Sequence, residues 1–185
     1  MNHHQLTMSE PQHKVLRSLL GTTLLSFSGD EMQASNFAWF WVDVTTTTTS
    51  VRLSNKLASL TLSGHQNDYT SFEVTESDGP SRRSRDRGYV YFQGKGQTIH
   101  EIWIIQEAIR AIKDAQPLFD FHTDHAIAFK LDNMWVAISK DSVGSEAIHI
   151  QHAASRESLS LPALDDEWPS DLLERYDIER TWIQL

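Results

Sequence analysis

A chain of 185 residues with no cysteine excludes disulfides, thiolate nucleophiles and Cys-based zinc sites. Six Trp, eight Phe and four Tyr within a 39% apolar share are enough to fill a core, and no apolar run approaches the ~20 residues of a membrane helix. The net charge of −9 disfavours nonspecific nucleic-acid binding, and the charge is polarised: residues 81–115 carry seven basic and four acidic side chains, residues 116–185 five and thirteen.

Ser9, Pro11 and Gln12 have the spacing of a helix start, with Ser9 as cap and Gln12 closing the capping box. Val15, Leu16, Leu19 and Leu20 then form an apolar stripe that Gly21 ends, so a short amphipathic helix is expected to lie on the core. From Gly21 the period changes to two, and Thr22–Ser28 reads as a strand. Asn36–Val44 is apolar on both faces, with Phe37, Trp39 and Trp41 on one and Ala38, Phe40, Val42 and Val44 on the other. It is expected to be a central strand buried on both sides, the other reading being a strand whose outer face binds something. Five threonines, Thr45–Thr49, suit an edge strand or loop. Leu57–Ser63 and Tyr69–Thr75 read as a hairpin joined by residues 64–68, completing an antiparallel meander of four strands.

Ser77–Arg87 has no apolar residue except Pro80 and is the candidate mobile loop between two β-rich halves of a single domain spanning 1–185. Tyr89–Gln93 reads as a strand. The next segment is ambiguous: Thr98 and Glu101 have capping-box spacing and Ile102, Ile105, Ile109 and Ile112 have helical spacing, but the glycine turn before it and its β-branched residues favour a strand through about Gln106. Phe121–Ser139 carries the clearest local pattern. A turn at Asp132-Asn133, residues that tolerate positive φ, would set Leu131 opposite Met134, Phe129 opposite Val136 and Ile127 opposite Ile138 on one face, and Lys130 opposite Trp135 and Ala128 opposite Ala137 on the other. Ala147–His152 is a further strand, Ser155–Leu161 a short helix or turn, and Arg180–Leu185 a closing strand. The expected fold is mainly β, a β-rich α+β chain built as an antiparallel sandwich, barrel or strongly bent sheet with a short N-terminal helix.

Three constellations are candidates for function. Asp165, Asp166, Glu167, Trp168, Asp171 and Glu174, followed by Asp177 and Glu179, set acids around an aromatic anchor, a composition suited to a basic protein partner. A nuclease inhibitor of the immunity-protein type would have this character. The second constellation is His122-Thr123-Asp124-His125: on a strand His122 and Asp124 share a face, and with His149 they would hold a divalent metal, in a metal-binding protein or a metal-dependent hydrolase. The third is the Arg82, Arg83, Arg85 and Arg87 run, which would meet the acidic C-terminal region of a second copy in self-association. Arg87-Gly88-Tyr89 with Tyr91 resembles part of an RNA-recognition strand, but Gly94 stands where an aromatic is required, so no nucleic-acid partner is expected. The expected class is a bacterial, cytoplasmic, non-enzymatic binding protein with no cofactor and no membrane partner, the metal-dependent reading being the alternative.

Overall fold

The structure, a computed structural model, describes residues 2–30, 32, 36–62, 64–79, 89–91, 96–161 and 175–185, with backbone alone at 30, 65 and 89–91. In chain order its elements are β1 (Asn2–Leu6), α1 (Glu10–Arg17), β2 (Thr23–Asp30), β3 (Phe37–Thr46), β4 (Ser50–Leu62), β5 (His65–Ser77), β6 (Tyr89–Tyr91), β7 (Gln97–Thr98), β8 (Glu101–Lys113), β9 (Gln116–Lys130), β10 (Trp135–Lys140), β11 (Ala147–Ala153) and β12 (Arg175–Gln184). Among the described residues the fold is mainly β, antiparallel except for β1, with one short α-helix near the N-terminus, as expected from the sequence. Of the Ser77–Arg87 loop, residues 80–88 lie outside the described residues.

Several elements follow directly from local sequence. Ser9 and Gln12 form the expected capping box at α1. After the helix, Gly21 takes φ +72, where a Cβ would be strained, and its N–H donates to Ile99 O at 2.8 Å. The β9–β10 hairpin has the expected register, pairing Trp135 with Lys130, Val136 with Phe129, Ala137 with Ala128 and Ile138 with Ile127. Its turn differs from the expectation, because neither Asp132 nor Asn133 takes a positive φ. Asp132 acts as a clamp instead: Oδ2 accepts the Thr98 N–H at 3.0 Å and Oδ1 meets His100 Nε2 at 2.6 Å.

The ambiguous segment is one long strand, β8. The positive φ values of Asp114 (50°) and Ala115 (59°) form the tight turn that folds β9 back along it. β4 and β5 also run further than expected, with Leu62 opposite His65, so residues 66–68 belong to β5 and not to the turn.

Among the described residues twelve strands join one open sheet, and β2, β3 and β9 each share one edge between two partners, β2 with β6 and β7. β3 pairs with β11 through Phe37–Trp39 and with β4 through Trp41–Thr45, while β2 holds its other edge. β9 pairs with β8 along one edge, whereas its other edge takes β10 at 126–130 and the parallel β1 at 119–123. Polar groups close the seam between the branches. Asn55 Nδ2 donates to Ser145 O at 2.8 Å, and Thr70 N donates to Val143 O at 2.7 Å. The fully buried Lys140 ammonium donates to Thr70 O at 2.7 Å and Thr123 Oγ1 at 2.9 Å, and lies 5.2 Å from the Phe72 ring centre.

Both faces of β8–β10 are covered. On one, Ile102, Ile104, Ile127, Phe129, Val136 and Ile138 join Leu16, Leu19, Phe27 and Phe72 in the main core. On the other, Ala126, Ala128 and Ala137 leave room for Trp103, Trp135 and Trp182, with Leu159 and Leu161 over them. Among the described residues no helix is long and apolar enough to cross a membrane.

β12 is tied down by a buried ion pair as well as by its ladder with β8. Arg180 donates from Nε (3.0 Å) and Nη2 (2.5 Å) to Oε1 of Glu107, which is 1% exposed. Removing one partner leaves a charge buried, so Arg180→Ala is expected to cost about 3 kcal/mol in urea unfolding, and Glu107→Leu in the same chain to recover most of it. Gly29 is constrained sterically: a Cβ there would lie 2.7 Å from Ala38 Cβ and 2.9 Å from Trp41 O. Gly29→Ala is expected to cost about 1–3 kcal/mol by the same measurement.

Candidate functional site

Among the described residues a groove lies where β9, β8 and β12 run side by side. Register sets His122, Ala108 and Glu179 in one row and Asp120, Arg110 and Asp177 in the next. Residues paired across strands share a face, so these side chains stand together. Ala108 contributes only a methyl between longer neighbours and leaves a groove of about 280 Å³, lined also by Ile109 and Ile178. Asp120 accepts from Arg110 Nε at 2.9 Å and lies 3.4 Å from His3 Nδ1. Asp177 accepts from Arg175 Nε at 2.8 Å. Among the described residues Glu179 has no ion-pair partner, so it is the uncompensated charge of the groove.

Six of the acidic-surface residues, Asp165, Asp166, Glu167, Trp168, Asp171 and Glu174, lie outside the described residues. The arginines 82, 83, 85 and 87 do so as well. Asp177 and Glu179, the end of the same acidic run, are on β12 and line the groove.

The three metal-ligand candidates fall in different surroundings. His122 is half-buried in the groove. Asp124 is 1% exposed and already bonded, accepting the Met8 N–H at 2.6 Å and Gln106 Nε2 at 3.1 Å. His149 is opposite Ser139, which is opposite Ala126, two strands away from β9. That is about 10 Å across the sheet, with His122 roughly a further 13 Å along it. His149 Nε2 instead meets Asp141 Oδ1 at 3.0 Å. The register therefore does not bring His122 and His149 to one ion, and among the described residues no group of three His, Asp or Glu is arranged to hold a metal.

Between the groove and the wall of tryptophans lies a buried polar cluster that the sequence pattern does not expose. β9 carries one extra residue where Ile105 pairs with Ala126 and Gln106 with Asp124, and that residue is His125. Its ring is fully buried, 3.6 Å from Glu107 Oε1, too long for a hydrogen bond. Burial first, then the positive charges of Arg180 and Lys140, hold its pKa down at about 3. Burial pushes the Asp124 carboxyl up.

The groove was hidden in the sequence because it depends on how β8 registers against β9. That register is set by the Asp114-Ala115 turn, which lacks the glycine that usually marks such turns, and by the extra residue Leu118 between that turn and the groove. Only the Glu107 carboxylate inside an apolar run hinted at a buried charge. No family model matches the chain, and no curated protein or solved structure matches it significantly.

Between pH about 3 and 6.5 the unfolded chain binds a proton at His125 that the folded chain refuses. Stability from this group is therefore lost as the pH falls through that window, at up to about 1.4 kcal/mol per unit. Asp124, its pKa raised, works in the opposite sense just above the ordinary carboxylate range. In urea titrations over a pH series, His125→Gln is expected to flatten the acid loss of stability, and Asp124→Asn to steepen it.

Proposed function

We propose that the protein is a non-enzymatic binding protein of the bacterial cytoplasm, an immunity-like inhibitor that receives a basic partner on its acidic C-terminal surface. The observation that supports this reading is Glu179. Among the described residues its carboxylate has no ion-pair partner, and it stands beside a groove that also holds Asp120 and Asp177, at the end of the most acidic part of the chain. A lysine or arginine of a partner entering beside Ala108 would find its counter-charge there. The wider acidic field, thirteen carboxylates against five cations over residues 116–185, would speed encounter with a positive surface.

The test is capture from a lysate of the source organism on the immobilised protein, at low and high salt, followed by mass spectrometry. A basic protein is expected, released by salt, and its association rate is expected to fall about tenfold or more when Asp177 and Glu179 are both replaced by Lys. Equal capture by the parent and the charge-reversed variant would overturn the reading.

A further inference from the structure

β3 was expected to be buried on both faces, but it keeps an aromatic face at the surface. Trp39 is 36% exposed and Phe40 46%, while Phe37 and Trp41 are half-buried. The rings touch in series: Phe37 meets Trp39 edge-on with centres 5.2 Å apart, and Trp39 lies 6.1 Å from Phe40. Phe40 belongs by alternation with Ala38 and Val42, which are fully buried. It escapes because β3 bulges there, Gly29 pairing with Val42 and Asp30 with Trp39. The bulge puts Phe40 at φ 64, a left-handed conformation costly for a bulky residue. Strain of that kind concentrates at binding surfaces.

A polar cleft adjoins this platform. Phe37 is opposite His149, with ring centres 5.1 Å apart, and His149 is opposite Ser139. The cleft measures about 300 Å³ and is lined by Ser139, Lys140, Asp141, His149, Gln151, Ser160 and Leu161. Ser139 is fully buried, and its Oγ has no hydrogen-bond partner among the described residues; the same holds for the Gln151 Oε1 atom. Buried polar atoms are rarely left so, and two of them lining one cleft call for a ligand that brings its own hydrogen-bonding groups.

The chemistry of that ligand follows from what the site offers. A purely apolar molecule would leave Ser139 and Gln151 unsatisfied. An anion would gain little from Lys140, whose ammonium is directed at Thr70 O and Thr123 Oγ1. A cation would find Asp141 already engaged by His149. A pyranose suits both halves: an apolar C–H face to lie on an aromatic ring, and hydroxyls that both donate and accept. We infer that the aromatic face of β3 and the Ser139–His149–Gln151 cleft form a binding site for a neutral saccharide. It uses none of the groove residues, so it stands apart from the basic-partner reading.

The test is an array of neutral glycans probed with the full chain, followed by calorimetric titration of the strongest oligosaccharide retained. Binding is expected, weakened about tenfold or more by Trp39→Ala and restored in large part by Trp39→Phe. Ser139→Ala is expected to weaken it too, and Leu57→Ala, an exposed apolar side chain on β4, to leave it unchanged. Near-ultraviolet circular dichroism checks that each variant is folded, and Phe40→Ala replaces Trp39→Ala if that chain is not. Retention of no neutral glycan, or equal affinity in folded ring-deletion and parent chains, overturns the inference.

Discussion

The fold depends on one constraint: a single sheet cannot keep β10–β11 and β4–β5 in the same plane when both pair with the same edge of β3. The branches must separate, and backbone groups at the parting would lose their ladder partners in a place that water does not reach. Lys140 resolves this. Its long stem reaches from β10 across the parting, and its ammonium donates to Thr70 O on β5 and Thr123 Oγ1 on β9, tying three strands at one point. Asn55 does the same for the loop before β11. Burying an ammonium is expensive, and here the expense is offset by two short hydrogen bonds and the face of Phe72.

Both candidate sites arise where the ladders are irregular. At the extra residue His125, β9 shifts its pairing with β8. The apolar wall of Ile105 and Ala126 gives way to a polar interior, and the row beyond it places Asp120, His122, Asp177 and Glu179 on one surface. At Phe40 the bulge in β3 turns an aromatic ring away from the core and towards Trp39. Bulges re-aim side chains without changing the strands around them, which lets a sheet bury both faces over most of its length and still present a binding surface.

The two surfaces differ in the interactions they offer. The groove on β12 offers carboxylates, of which Glu179 has no ion-pair partner among the described residues, and charge acts over distance. The β3–β11 face offers flat rings and buried neutral acceptors, which act only at contact. The two surfaces lie on different strands, so the two proposals rest on separate residues.

How much could be read in advance follows the range of the interactions. The capping box of α1, the β9–β10 register and the meander β2–β5 are set by residues close in sequence, and alternation with period two fixes which side chains share a face. The strand nature of β8 was only half legible, because isoleucines at helical spacing satisfy both patterns until a partner strand is present. The run ending in Asp177 and Glu179 was visible as charge, but its neighbours Ala108, Arg110 and Asp120 come from strands whose register depends on a glycine-free turn and an added residue. The exposure of Trp39 and Phe40 ran against the sequence, since aromatics are buried by default. The sequence by itself determined most of the strands, the local pairing of neighbours such as β9 and β10, and the polarity of the chain. Only the tertiary structure decided where the sheet forks and bulges, because those features are set by competition between distant strands for the same edge.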